Sequence, residues 1–166
     1  MNYKIKTVDE SDFDYIISLN QKTIPEVSST DLKGMSYFLN NASYFKIIME
    51  NNHPVGFCIG LMPDEEYSSE NYIWINKRYN SFVYVDRIII DKHYRNKGIG
   101  SYFYNHLVEK FFGKVENIIC EVNIKPFNKQ SINFHKKYGF IEIGQQETEN
   151  SNKRVCYMLY EMSSHK

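Results

Sequence analysis

A basic, glycine-containing hexapeptide, Arg95–Gly100 (RNKGIG), has the residue types that bind a phosphorylated ligand. It follows an apolar run and precedes an amphipathic one, where we expect a strand to end and a helix to begin. Backbone amides at a helix N-terminus have no intrahelical acceptors, and the helix dipole adds partial positive charge there. Gly98 and Gly100 remove two side chains from the turn and permit positive φ. The hexapeptide therefore predicts a diphosphate site with Arg95 and Lys97 beside it.

The hexapeptide also has a simpler interpretation, because a Gly-x-Gly segment after a strand often only shapes a turn. Spacing excludes two other phosphate-binding patterns. The sequence has no Gly-x-x-x-x-Gly-Lys-Ser/Thr turn for a nucleoside triphosphate. Phe103 stands where a dinucleotide-binding Gly-x-Gly-x-x-Gly turn needs its third glycine.

The segments around the hexapeptide predict its structural support. Phe82–Ile90 is rich in β-branched and aromatic residues, which favours a strand covered on both faces. After Gly100, apolar residues recur at helical spacing, so this helix should pack on a sheet. Along the whole chain the patterns predict the order β-α-α-β-β-β-α-β-α-β-β and a layered α/β architecture.

Length and composition narrow the class of protein. A chain of 166 residues suits one domain over positions 1–166. Twenty basic and twenty acidic residues cancel, which argues against nucleic acid or an anionic membrane as a partner. The cysteines, Cys58, Cys120 and Cys156, lack metal-ligand spacing. The chain shows no signal-peptide pattern and no long apolar run, so we expect a cytoplasmic protein without a bound metal.

Two blocks of the sequence resemble the GNAT superfamily of acyl-CoA N-acyltransferases. The hexapeptide looks like that family's Arg/Gln-x-x-Gly-x-Gly/Ala signature. The second block, Cys120-Glu121-Val122-Asn123 and then Asn128-x-x-Ser131-x-x-Phe134-His135-x-x-Tyr138-Gly139-Phe140, is similar to its later strand, helix and Gly-Phe segment. Tyr84-Val85-Asp86-Arg87-Ile88 also resembles a bacterial subgroup. The resemblance extends from about Tyr3 to Met162.

The resemblance carries expectations about fold and function. It implies a mixed, mostly antiparallel central sheet of about six to seven strands, flanked by about four helices. It also implies an N-acetyltransferase that moves an acetyl group from acetyl-CoA to a primary amine of a small molecule or protein, by direct attack in a ternary complex. A non-catalytic acyl-CoA-binding or sensing module is the alternative. Dimers are frequent in the family, so a homodimer is one expectation.

The resemblance also places the cofactor. The diphosphate would lie on the amides of Lys97–Ser101, and the pantetheine arm would pair with the backbone of Ile88–Ile90. Asn128 is a further side-chain contact, with helix capping as its alternative role. The full set of cofactor candidates is Ile88, Ile89, Ile90, Arg95, Asn96, Lys97, Gly98, Ile99, Gly100, Ser101, Asn123, Asn128 and Phe134.

The acceptor amine requires a base. A lysine-like amine with a pKa near 10.4 is mostly protonated at pH 7, a cost of roughly 4 to 5 kcal/mol. Asp86, Ile88 and Ile90 are alternate residues of the strand, so their side chains should lie on the same face of the sheet. The resemblance places Asp86 where many relatives carry an acidic residue. Its alternative is a structural partnership with Arg87 or a backbone amide.

The leaving thiolate requires less help, because a thiol pKa near 8.5 makes it a fair leaving group. His135 stands where many members of the resembled family carry a tyrosine. A histidine there could donate a proton to the thiolate or hydrogen-bond to the cofactor. The alternative is a purely structural side chain, so His135 is a candidate catalytic residue.

An aromatic cluster runs from Tyr72 into the central strand and includes Trp74 and Tyr84, with Arg78 between them. Aromatic side chains could wall a ligand cleft, and Arg78 could bind a substrate carboxylate. These three residues are therefore the candidates for contact with the acceptor. The alternative is a packed loop without a role in binding.

Overall fold

The structure is a computed structural model that describes residues 2–162. Short 3₁₀ turns lie at Glu10–Asp12 and Lys92–Tyr94. The strands and longer helices, in chain order, are β1 (Tyr3–Thr7), α1 (Phe13–Gln21), α2 (Leu32–Asn41), β2 (Tyr44–Glu50), β3 (His53–Leu61), α3 (Glu70–Asn76), β4 (Phe82–Ile90), α4 (Ile99–Phe111), β5 (Asn117–Lys125), α5 (Lys129–Tyr138), β6 (Ile141–Thr148) and β7 (Lys153–Glu161).

The strands form one seven-stranded sheet in the order β1-β2-β3-β4-β5-β7-β6. Neighbouring pairs β1–β2, β2–β3, β5–β7 and β6–β7 are antiparallel. β4 and β5 are parallel, with Phe82 opposite Asn117 and Val85 opposite Cys120. The predicted mixed, mostly antiparallel sheet is therefore confirmed, and it has seven strands.

Contacts along the chain define two compact units. The first contains the described residues up to Leu61 together with Arg87–Glu109. Its buried side chains include Ile16, Met35 and Ile47. The second contains Met62–Asp86 and the described residues from Lys110 onward. β4 begins in the second unit and ends in the first, and the single domain expected over positions 1–166 stays a prediction.

Helix α3 is the main departure from the predicted element order. Its segment was expected to be a loop with aromatic residues, and it brings the described α-helices to five rather than about four. The Ser69 side chain accepts from Tyr72 N at 3.4 Å and caps the first turn. Tyr72 and Ile75, three residues apart, are 1% and 0% exposed. Burial of this face outweighs the low intrinsic helix propensity of aromatic and β-branched residues.

Two further features bear on the class of protein. Cys58, Cys120 and Cys156 are buried free thiols. Among residues 2–162, no helix is long and apolar enough to cross a membrane.

Candidate functional site

The hexapeptide forms the connection between β4 and α4 in the first unit. The Asp91 side chain accepts from His93 N at 2.9 Å and starts the short turn that follows the strand. Arg95 Nε donates to Ile90 O at 3.0 Å, which ties the start of the hexapeptide to the end of β4. Asn96 and Gly98 both have positive φ, 61° and 79°. Of the two glycines expected to use that freedom, only Gly98 does so.

The turn leaves backbone donors at the start of α4. Tyr102 N donates to Gly98 O at 3.0 Å, so the amides of Ile99–Ser101 precede the first intrahelical bond and have no helical acceptor. Gly98 is exposed, and a Cβ there would meet no atom within 4 Å. Lys97 Nζ lies 4.8 Å from the Tyr94 ring centroid, which holds a positive charge beside these amides. The connection thus suits a phosphorylated ligand.

From Asp86 to Ile90, the side chains of β4 alternate between two environments. Asp86, Ile88 and Ile90 are half-buried, whereas Arg87 and Ile89 are buried. In the first unit, Arg87 Nη1 donates to Asn20 Oδ1 at 2.7 Å and to Ser28 O at 3.2 Å. Asp86 therefore shares its environment with Ile88 and Ile90, as the alternation along the strand predicted. Arg87 has structural hydrogen bonds of its own.

Asp86 belongs to the second unit, where its carboxylate has a tyrosine partner. Tyr67 Oη donates to Asp86 Oδ1 at 2.6 Å. The Tyr67 ring contacts the Tyr72 ring at 5.7 Å, and Tyr72 contacts Tyr84 at 5.5 Å. The carboxylate is thus oriented by a hydrogen bond from a ring that is itself packed.

A second carboxylate, Glu121 of β5, lies beside Tyr84. The Tyr84 hydroxyl donates to Glu121 Oε1 at 3.0 Å, and Asn71 Nδ2 donates to the same oxygen at 3.1 Å. Burial, followed by the negative charges of Glu121 and Asp86, raises the pKa of Tyr84 well above its ordinary value. The Tyr84 hydroxyl therefore stays protonated and acts as a donor.

The same cluster continues into α3 and β7. Tyr157 Oη donates to Asn71 Oδ1 at 3.0 Å. Trp74 stacks on Tyr157 with centroids 4.0 Å apart and planes at 10°. Arg78 lies 4.0 Å above the Trp74 ring, and its Nη1 donates to Trp74 O at 2.9 Å. Trp74 and Tyr84 are thus joined through Asn71, Glu121 and Tyr157, whereas Arg78 bonds within its own segment.

Sequence reasoning missed Glu121 as a site residue. It placed Glu121 only inside the resembled motif Cys120-Glu121-Val122-Asn123. The available signal was a single acidic residue within the otherwise apolar run 118–122, since an ionised carboxylate is costly to bury without a partner. Asn71 carried no comparable signal, because its role depends on α3.

His135 of α5 is 3% exposed. Its Nδ1 donates to Ser131 O at 2.8 Å, and its ring meets Phe134 and Phe140 at 5.0 and 5.1 Å between centroids. Burial lowers the pKa of His135 to about 4, so the imidazole is neutral at pH 7. With its proton on Nδ1, the neutral ring has an acceptor at Nε2 and no second proton to give.

The remaining candidates lie between β5 and α5. The Asn128 side chain accepts from Ser131 N at 3.1 Å, and Asn128 N donates to Asn123 O at 3.0 Å. Asn128 therefore has the capping role that was its alternative. Asn123 is 8% exposed, and Phe134 is half-buried. Residues 2–162 contain no group of three or more His, Cys, Asp or Glu side chains that could hold a metal ion.

Comparison with known proteins gives a consistent result. A family model described as "Acetyltransferase (GNAT) family" matches residues 9–140. A curated relative, "Probable spermine N(1)-acetyltransferase" from Bacillus subtilis subsp. natto (strain BEST195), is 27% identical over 148 residues. That match covers 84% of this chain and 88% of the relative.

Solved structures share the fold at low sequence identity. Ard1 from Thermoplasma volcanium has a TM-score of 0.77 at 15% identity, covering 96% of this chain and 97% of that one. Arabidopsis thaliana Naa50, solved with the bisubstrate analogue CoA-Ac-MVNAL, has a TM-score of 0.72 at 18% identity, covering 96% and 99%. These likenesses agree with the sheet and helices described above.

Proposed function

This chain belongs to the GNAT family of acetyltransferases, and from that premise we propose that its acceptor is a small, positively charged primary amine and that Asp86 is the base. The chain is an acyl-CoA N-acyltransferase that uses acetyl-CoA and transfers the acetyl group to an amine. The non-catalytic binding module is not favoured, because both the family and the curated relative are acetyltransferases.

The observation that carries the proposal is the Asp86 carboxylate. It is half-buried, accepts from Tyr67 Oη at 2.6 Å, and lies on the strand that leads into the glycine turn. A carboxylate in this setting can hold an ammonium group and then accept its proton, directly or through water. The name of the curated relative, a spermine acetyltransferase, supports a cationic small molecule over a protein amine.

The reaction we propose is direct attack in a ternary complex. Bound acetyl-CoA supplies the thioester. Asp86 accepts one proton from the acceptor ammonium, a C–N bond then forms as the C–S bond breaks, and the second proton lost by the nitrogen goes to the leaving thiolate or to water. Deprotonation of the acceptor costs roughly 4 to 5 kcal/mol at pH 7, which is the main barrier that Asp86 would offset. The thiolate, with a pKa near 8.5, needs no strong acid.

His135 is proposed in a limited role. Because its pKa is about 4, it is not a charged acid at pH 7. We propose that it fixes α5 through Ser131 O and that any contact with the cofactor is made by a neutral ring. Of its two candidate roles, a hydrogen bond to the cofactor is therefore better supported than proton donation to the thiolate.

Cofactor binding is proposed for the first unit's turn. The amides of Lys97–Ser101 and the charges of Arg95 and Lys97 would hold the diphosphate. The backbone of Ile88–Ile90 would hold the pantetheine arm, with Asn123, Asn128 and Phe134 as further proposed contacts. The exposed Gly98 and the donors at the start of α4 support this assignment. A cytoplasmic location is also proposed, supported by three buried free thiols.

The test has two stages. A thermal-shift titration with acetyl-CoA, CoA, ATP and NAD should show stabilisation by the first two only, by about 2.7 kcal/mol at a hundredfold excess over Kd. Release of free CoA should then depend on an added amine, with spermine compared against a peptide with a free N-terminus. Faster release with the peptide would contradict a cationic small-molecule acceptor, and release with neither amine would contradict the acceptor class altogether.

A further inference from the structure

The connection between β3 and α3, residues 62–69, contains no helix or strand, and a side chain of α3 gives it a defined shape. Tyr72 is buried, and its hydroxyl donates to Met62 O at 2.6 Å and accepts from Glu65 N at 2.8 Å. Both partners are backbone atoms, so one hydroxyl fixes two points of the connection. These bonds place the backbone that leads to Tyr67.

A second side chain of α3 holds the same connection one turn farther along the helix. Asn76 Oδ1 accepts from Asp64 N at 3.0 Å, and Asn76 Nδ2 donates to Asp64 Oδ1 at 3.3 Å. Tyr67 N then donates to Glu65 O at 2.9 Å, which closes a tight turn just before the tyrosine. All of these residues belong to the second unit, so α3 determines where Tyr67 lies within it.

Tyr67 is the residue that this connection presents to β4. Its hydroxyl donates to Asp86 Oδ1 at 2.6 Å, a short hydrogen bond within the normal range for two oxygens. Its ring packs against Tyr72 at 5.7 Å between centroids, with the planes at 63°. The packed ring fixes the hydroxyl, and the hydroxyl in turn restricts rotation of the Asp86 side chain.

The orientation of this carboxylate matters for the proposed reaction. A general base must lie within hydrogen-bond reach of the proton that it accepts, and a misplacement of about 1 Å can cost about 100-fold in rate. Tyr67 and Asp86 are 19 positions apart in the chain, and the connection described above brings them together. The hydrogen bond is therefore a device that can fix the position of the base before the amine binds.

We propose that Tyr67 is a positioning residue for acetyl transfer, which holds the Asp86 carboxylate in the orientation needed to accept a proton from the acceptor ammonium. The proposal rests on the proposed function, in which Asp86 is the base. Tyr67 acts only through Asp86, and its own hydroxyl keeps its proton throughout the reaction. Helix α3 and residues 62–69 then have a role in the reaction, as the scaffold that holds Tyr67.

The experiment is a double-mutant cycle of Tyr67→Phe and Asp86→Asn, with spermine as acceptor and product counted from radiolabelled acetyl-CoA. Tyr67→Phe keeps the ring and removes only the hydroxyl, so kcat should fall about tenfold. Acetyl-CoA affinity and KM for spermine should stay within about twofold of native. In the Asp86→Asn background the same change should lower kcat less than about twofold, because an asparagine cannot accept the proton in any orientation.

Two further variants complete the test. Tyr79→Phe also removes one tyrosine hydroxyl from the second unit and is the matched control, since the half-buried Tyr79 lies outside this connection. It should leave kcat within about twofold in both backgrounds. Tyr72→Phe keeps the ring beside Tyr67 and removes the hydroxyl that holds the connection. It should lower kcat about threefold or more with Asp86 present, and less than about twofold with Asn at that position.

The cycle separates positioning from a general structural role. A kcat of Tyr67→Phe within about twofold of native would overturn the inference, and so would an equal loss of kcat in both backgrounds, because that loss would not pass through Asp86. If Tyr67→Phe does not fold, Tyr72→Phe is judged by the same two criteria. A near-native kcat in Asp86→Asn alone would overturn the proposed base, and the inference with it.

Discussion

The glycine turn and the Glu121 network are built in opposite ways. The turn is six consecutive residues, is largely exposed, and offers backbone amides at the start of α4. The network joins Tyr84, Glu121, Asn71 and Tyr157 from four different elements. The two tyrosines are buried, and Glu121 and Asn71 are half-buried. A cofactor common to a family can be bound by local backbone geometry, whereas an acceptor is bound by side chains that only the fold brings together.

The difference predicts which changes affect which substrate. Changes in the turn should weaken acetyl-CoA binding and leave the preference among amines intact. Changes among the side chains of the second unit should alter the amine reaction and leave acetyl-CoA affinity intact. Three variants test this separation, and a fourth, at His135, tests the consequence of burial in the second unit.

The largest effect is expected for Asp86→Asn, which removes the proposed base. General-base catalysis contributes about 10² to 10⁴ in rate, so kcat should fall at least about 100-fold. Acetyl-CoA affinity, measured by calorimetry, should stay within about twofold. Asp64→Asn is the control, since Asp64 is an exposed aspartate of the same unit. A kcat within about threefold of native in Asp86→Asn would remove Asp86 from the mechanism.

A variant of His135 tests whether burial of this side chain makes the free energy of unfolding depend on pH. Its pKa is about 4 in the fold and about 6.5 when unfolded, so the unfolded chain binds more protons between these values. The free energy of unfolding should therefore fall as pH drops from 7 to 5, with about 2 kcal/mol of the loss due to His135. Urea unfolding of His135→Asn should lack that part of the pH dependence.

The control for this linkage is His53→Asn, because His53 is exposed in β3. It should keep the full native pH dependence. If His135→Asn and the native protein lose the same stability between pH 7 and 5, the imidazole is not buried in a neutral form. A kcat profile that loses a limb near pH 6.5 in His135→Asn would restore His135 as an acid.

Gly98 tests the cofactor side with a closely matched pair. Gly98 and Gly113 have φ of 79° and 75°, and a Cβ on either would meet no atom within 4 Å. Alanine should therefore destabilise both positions by a similar 1 to 2 kcal/mol or so. Only Gly98→Ala should weaken acetyl-CoA binding, by about tenfold, because only Gly98 adjoins the α4 amides. Equal acetyl-CoA affinities in the two variants would mean that the turn does not bind the cofactor.

The smallest effect is expected for Arg78→Gln. Arg78 is exposed and stacks on Trp74, a contact worth about 0.5 to 1 kcal/mol at such sites. The melting temperature should fall slightly, and KM for a cationic amine should stay within about twofold. A large rise in KM for a carboxylate-bearing amine would instead support the expectation that Arg78 binds a substrate carboxylate.

Prediction from sequence succeeded where the determinants are local. The β-branched run of β4, the helical spacing after Gly100 and the cap at Asn128 each depend on neighbouring residues, and the structure shows β4, α4 and the capped α5. It failed for α3, since only burial of Tyr72 and Ile75 makes that aromatic segment helical. It also omitted Glu121, because a carboxylate among apolar residues has meaning only once its donors are known.

The sequence by itself determined the family, the mixed sheet and the position of the glycine turn, because a contiguous motif keeps its geometry wherever the strand and helix form. Tertiary structure alone decided that Tyr84 and Asn71 hold Glu121, that Trp74 stacks on Tyr157, and that His135 is neutral. Those outcomes depend on burial and on donors that are 37 and 50 positions from Glu121 in the chain. Hydrogen bonding and desolvation act through space, and sequence spacing does not record them.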